Sequence, residues 1–357
     1  MALIALATTA VAAVAGGGTA GASAMHHGYR QTNLVSDIPG RAQLTDPNLV
    51  NPWGLAAGPT TPLWVANNGT GTATLYAGGT AGTPFSAVPL VFTVPMGAPT
   101  GQVFNGSNGF KLRTNAGPMP ARFIFDSEAG TVSAWTPTTP LQMNARTKLT
   151  VPGAIFKGLA IGFFQRHPAL YAADFGNSRV WVIDSHFHVM NTPGAFMDPT
   201  LPSNYSPFGI QSIGRWVVVT YAKHVPGQGD ETHGPGLGFV DVYTQDGQMV
   251  ARLASHGALN APWGLVRAPA HFGRFSGALL VGNFGDGRIN AYEEKANGHF
   301  EHRGTLEDTD GKKLEIDGLW ALEFGNAGNN GTPNDLYFTA GPNDEVDGLF
   351  GKINATS

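Results

Sequence analysis

Residues 261–292 read APWGLVRAPAHFGRFSGALLVGNFGDGRINAY and decide the fold of the 357-residue chain. The stretch opens on a Pro-aromatic-Gly-aliphatic tetrad, crosses a polar loop and enters the apolar run 278–282. It turns through Asn283-Phe-Gly-Asp-Gly287 and leaves on alternating residues to Tyr292. Period-two alternation after a Gly/Asp turn predicts a β-hairpin, with the tetrad as a further strand beside it. A unit of this size cannot bury both faces, so it should recur.

The tetrad glycine recurs at Gly54, Gly158, Gly209, Gly264 and Gly318, at intervals of 104, 51, 55 and 54 residues. The first interval is a double one, and we assign its decayed tetrad to 105–110. The hairpin half recurs at 63–76, 122–135, 170–183, 216–243 (split), 279–292 and 336–353. Six units of four short strands predict an all-β chain folded as a six-bladed β-propeller. The last unit lacks an outer strand, and residues 31–36 precede the first unit without a blade of their own. We therefore expect the N-terminal strand to pair into the last blade and close the ring.

The chain holds 49 Gly, 25 Pro and no Cys, and 13% of it is charged. With 42% hydrophobic residues arranged in strands, the Gly and Pro mark turns. No disulfide, thiol nucleophile or thiolate metal site is possible. A net charge of −4 without a Lys/Arg cluster excludes nucleic acid as a partner class. Residues 1–24 are Ala-rich and end in Ala22-Ser-Ala24, which predicts a secretory signal cleaved before Met25. Residues 25–357 are then one propeller domain, secreted to the periplasm or beyond, monomeric and without a membrane span.

The segments NLVSD, DPNLVNPWGLA, WVANNGTGTATLY, FKGLAI, LNAPWGLV, LLVGNFGDGRINAY, DGLWALEFG and LYFTAGPNDEVDGLFG together resemble a group of secreted bacterial proteins. Many members of that group end in a PEP-CTERM sorting tail, and they are six-bladed propellers related to NHL-repeat proteins. The resemblance covers residues 30–353 and implies fold and export, without an activity. Residues 354–357 carry no sorting tail.

In such a ring one rim collects the hairpins between second and third strands. Here these are 67–70, 126–129, 174–177, 223–238, 283–286 and 341–347. Asn67, Asp174, Asn283, Asp286 and Asp344 lie in equivalent hairpins, and their oxygens suit a hard cation such as Ca²⁺. The same residues are also what tight turns need. Arg179 and Arg288 follow two of the turns and could instead neutralise the acids. The long loop 223–238 adds Lys223, His224, Asp230, Glu231 and His233, a set that could bind a transition metal or supply acid-base groups. Its four glycines at 227, 229, 234 and 236 predict a solvated, mobile loop instead. His186 and His188 share one face of a strand but should lie away from the mouth. No Gly-x-Ser-x-Gly elbow or phosphate loop is present. The expectation is a domain that binds a small molecule, glycan or protein at the axial rim. The alternatives at the same mouth are a calcium-assisted hydrolase or lactonase, by analogy with other six-bladed propellers, and a polysaccharide lyase.

Overall fold

The structure is a computed structural model that describes residues 27–80, 82–225, 227–296 and 298–356. The expected signal segment therefore lies outside the described residues. Six antiparallel sheets stand around one axis, and each meets the next through its own apolar cluster. Blade 1 comprises Pro52–Ala56, Leu63–Asn67, Thr72–Ala77 and Ser86–Thr93. Blade 5, the unit read first, comprises Pro262–Arg267, Leu279–Asn283, Ile289–Glu294 and Phe300–Thr305. The strand Tyr29–Ser36 pairs antiparallel with Leu349–Ala355 and supplies the outer strand of blade 6. Its Tyr29 hydroxyl donates to the Phe272 carbonyl at 3.0 Å and accepts from the Phe275 N–H at 3.2 Å, tying the closing strand to blade 5. No helix among the described residues is long and apolar enough to cross a membrane.

The tetrad glycine has a steric cause. A Cβ on Gly54, Gly101, Gly158, Gly209 or Gly264 would stand 2.5, 2.1, 2.9, 2.1 or 2.5 Å from backbone of the following blade. Innermost strands thus approach backbone to backbone around the axis, which only a residue without a side chain permits.

This ring of contacts corrects two readings of the repeat. The innermost strand of blade 2 is Pro99–Phe104, with Gly101 in the ring, and not 105–110. Asn105 instead anchors a loop, donating from Nδ2 to the Ala121 carbonyl at 2.9 Å. In blade 6 Leu319 pairs with Ala340 and Leu322 with Phe338, as Pro262 pairs with Asn283 and Leu265 with Val281. Ala321 therefore stands in the glycine place, and Gly318 precedes the strand in a left-handed conformation, φ +66°.

Four blades depart from four plain strands: blade 4 adds Glu231–Thr232 beside its second strand, and blade 6 adds Leu44–Thr45 parallel to Tyr29–Ser36. Blade 3 has three, Phe156–Phe164, His167–Asp174 and Arg179–Asp184, with its fourth place reduced to a bridge between Ile183 and Val189. Blade 2 carries an extra hairpin, Lys111–Thr114 with Gly117–Pro120, between its first and second strands.

Candidate functional site at the axial mouth

Sequence position alone brings the rim hairpins to one face, and the register does the same. Each innermost strand begins beside the end of its second strand, as Pro52 pairs with Asn67 and Pro262 with Asn283. Of the expected oxygen cluster, Asp174, Asn67, Asn283 and Asp286 bond mainly to their own turns and to adjacent loops. Asp174 is buried and accepts from the N–H groups of Ile155 and Asn177 at 3.0 and 3.1 Å. Its other oxygen accepts from Asn177 Nδ2 and from the Trp181 indole, both at 2.8 Å. Asn283 donates to the Ala258 carbonyl and to Asp286, which also accepts from the Arg288 N–H. Asn67 donates to the hydroxyls of Thr72 and Thr74, both at 3.1 Å. The side-chain oxygens of Asn67 and Asn283 are enclosed without a donor. Asp344 is exposed. Arg288 lies 2.7 Å from Glu315 and 3.8 Å from Asp286, whereas Arg179 stacks 3.9 Å over the Trp181 ring. Among the described residues no group of three or more His, Cys, Asp or Glu could hold a metal ion.

A different cluster occupies the axis. The slot before each ring glycine holds Trp53, Thr100, Lys157, Phe208 and Trp263, with Trp320 at the sixth place. Trp53 stacks on Trp320 with centroids 3.5 Å apart, Phe284 stacks on Trp320 at 4.2 Å, and Trp263 meets Trp53 edge-on at 6.2 Å. These rings join with Phe175 and Phe208 into a plug across the channel. A cavity of about 30 Å³ lies between the inner strands.

Blade 3 alone places a cation in this slot. The Lys157 side chain is 1% exposed, and its ammonium lies 5.0 Å over the Trp53 ring and 6.0 Å over Phe175. It donates to Glu128 of blade 2 at 2.5 Å and to Asp230 of blade 4 at 3.1 Å. Asp230 is 85% exposed, so water screens that contact, and Glu128 is the stronger partner. Burial works to lower the Lys157 pKa, but Glu128, Glu231 and Asp230 outweigh it and hold the ammonium above its ordinary range. Burial pushes Glu231 up to about 7, against the attraction of Lys157 and helped by Glu345 and Asp230. Glu345 is raised too, first by burial, although Asn51 donates to it at 2.6 Å. Four carboxyl groups from three blades thus share one ammonium.

The backbone beneath Glu345 is strained to hold it there. Asn343, Asp344 and Glu345 follow one another at φ +60°, +52° and +65°. Each left-handed residue costs about 1–2 kcal/mol, least for Asn and Asp. Such strain persists only where the surroundings fix it.

The long blade 4 loop carries a short ladder of its own. Glu231–Thr232 pairs with Lys223 and His224, which turns Asp230 and Glu231 toward the axis. The His224 ring bonds through Nδ1 to the Ser206 hydroxyl at 2.9 Å, and Ser206 bonds to Ser178 at 2.7 Å. Burial lowers the His224 pKa. His233 faces Phe284 edge-on at 6.2 Å, next to the plug. His186 and His188 are both 78% exposed around Asp184, far out on blade 3. Of the residues singled out from sequence, Asp230 reaches the axial ammonium directly. Glu231 of the same loop lies close enough for Lys157 to act on its charge, whereas Lys157, Glu128 and Glu345 were not singled out. Lys157 was legible in retrospect, because a cation interrupts an otherwise aromatic slot at FKGLAI.

No family model matches the chain. It is 34% identical over 330 residues to the uncharacterised protein R648 of Acanthamoeba polyphaga mimivirus, covering 90% of this chain and 78% of the viral one. Protein L690 of the same virus is 32% identical over 342 residues, covering 91% and 85%. Virginiamycin B lyase from Staphylococcus aureus superposes with a TM-score of 0.50 at 13% identity, over 92% of this chain and 100% of the lyase. At that identity the likeness is one of fold alone. The relatives matched are uncharacterised viral proteins, and the resemblance to a secreted bacterial group stays an expectation from the motifs.

Proposed function

The chain belongs to the family of the mimivirus proteins R648 and L690, and from that premise we propose that it is a binding propeller whose axial mouth holds a small ligand rich in amine or hydroxyl groups, a glycan included. One observation carries this reading. A buried ammonium over a tryptophan floor is surrounded by more carboxyl groups than it can neutralise. Such a cluster favours an incoming donor or cation, since it relieves like-charge repulsion. The floor adds an unspent donor, because the Trp53 indole N–H is enclosed without an acceptor.

Glu231 supports a second, catalytic reading. A carboxyl raised to about 7 beside a charged lysine suits general acid–base work near neutrality, as a hydrolase or lyase would need. Export rests on residues 1–24 and is tested by N-terminal sequencing of protein recovered from culture medium.

Calorimetric titration with amines and a glycan array tests the binding reading on wild type, Lys157→Met and Glu231→Gln. We expect wild type to bind and both variants to bind at least tenfold more weakly. Absence of any wild-type ligand sinks it. Elemental analysis and melting with EDTA test the calcium alternative, and we expect the melting curve to stay in place. A fall in melting temperature together with stoichiometric calcium would favour the metal reading instead.

A further inference from the structure

On the face opposite the rim, blades 1 and 2 part to leave a recess of about 660 Å³. That volume lies within the range of small-molecule sites, about 300–1,000 Å³. Trp64, Phe104, Phe123, Trp135 and Leu141 are among its lining residues. Its aromatic wall is rigid, because Trp64 stacks on Phe123 at 4.1 Å and lies 4.9 Å from Trp135. The mouth keeps apolar surface in water, with Leu141 43% exposed.

Arg122 is the one charged residue among the described residues that line the recess. Its backbone is fixed on both sides, the N–H donating to the Trp135 carbonyl at 2.7 Å and the carbonyl accepting from the Asn105 N–H at 2.9 Å. No carboxylate or other acceptor among the described residues pairs with its guanidinium, in contrast to Arg41, Arg267, Arg274, Arg288 and Arg303, each of which faces a carboxylate. An apolar recess with an exposed, unpaired guanidinium on a fixed stretch of backbone matches one kind of ligand. The apolar body leaves water, and the planar fork takes an acidic head group bidentately.

We propose that this recess binds a small amphipathic acid, an acyl or aryl body carrying one carboxylate. The site is independent of the axial mouth, since it lies at the other end of the strands and shares no residue with the Lys157 cluster. A neutral apolar ligand would leave Arg122 unused, and a cation would be repelled by it.

The test titrates the full chain with dodecanoate and, in parallel, with dodecanol, following tryptophan fluorescence and heat. We expect one dodecanoate per chain, bound more tightly than dodecanol. Arg122→Gln should weaken dodecanoate about fivefold, the order of a partly exposed charge pair, and leave dodecanol unchanged. Leu141→Asp, at an exposed position that tolerates the change, should abolish binding of both while the melting temperature holds. Lys157→Met should leave dodecanoate binding intact. Failure of wild type to bind dodecanoate saturably, or equal binding by Leu141→Asp, overturns the site. Dodecanoate binding that Arg122→Gln leaves unchanged overturns the acid head group.

Discussion

Lys157 shows how one side chain can be both buried and charged. Its ammonium is 1% exposed, yet it has Glu128 and Asp230 as partners and two aromatic faces beneath it. Removing one member of a buried ion pair strands the other, typically at about 3–5 kcal/mol. Glu128 is 28% exposed and can recover some water, so Lys157→Met should cost about 3 kcal/mol in a denaturant melt. A loss below about 1 kcal/mol would show that the ammonium is not structurally coupled to its acids. Glu323 is the opposite case. Burial pushes it from 4.5 up to about 7 with no other influence on it. A carboxyl with a raised folded-state pKa binds its proton more tightly when folded, so stability falls as pH rises through this window and stays low above it. Glu323→Gln should therefore stabilise the protein by about 2 kcal/mol at about pH 8 and by nearly nothing at about pH 4. Equal effects at both pH values would contradict the shift.

At the scale of elements, the inner strands are held apart by nothing but hydrogen atoms at the ring glycines. Gly101→Ala would bring a Cβ to 2.1 Å from the Leu159 nitrogen. Backbone cannot yield as a side-chain tip can, and we expect a loss of about 3 kcal/mol or failure to fold, read by thermal melting. The hairpins were legible from alternation and turn chemistry, because the LWVAN and LLVGN strands both run into Asn-x-Gly turns, Asn67-Asn-Gly69 and Asn283-Phe-Gly285. Blade 2 hid its inner strand, since Pro99-Thr-Gly-Gln keeps only the Pro and Gly of the tetrad. Its Thr100 hydroxyl and Gly101 N–H are bound to the buried Asp126 carboxylate at 2.9 and 2.6 Å. Polar bonding there replaces the apolar pattern that a sequence reader looks for. The closing strand was legible by its lack of a partner. Deleting residues 30–36 should unfold all six blades in one transition, with fluorescence and circular dichroism coincident. Separate transitions would mean that blade 6 frays alone.

The whole ring explains why the site was harder to read than the fold. Its carboxyls come from Glu128, Asp230, Glu231 and Glu345, which the chain brings together only after closure. Spacing along a sequence carries no trace of such a meeting, whereas the repeat that builds the ring is written at intervals of about 52 residues. Placing the site at the axial mouth followed from topology, and naming its members required the side chains. The seam has a further consequence, in time rather than space. Tyr29–Ser36 is among the first strands made, and its partner Leu349–Ala355 is among the last. At about 5–20 residues per second a ribosome needs on the order of tens of seconds to span that gap. During that interval the leading strand has an unsatisfied edge, the kind of edge that other chains can claim. Native closure thus waits until Leu349–Ala355 has been made, and its competitor is association with a neighbouring nascent chain.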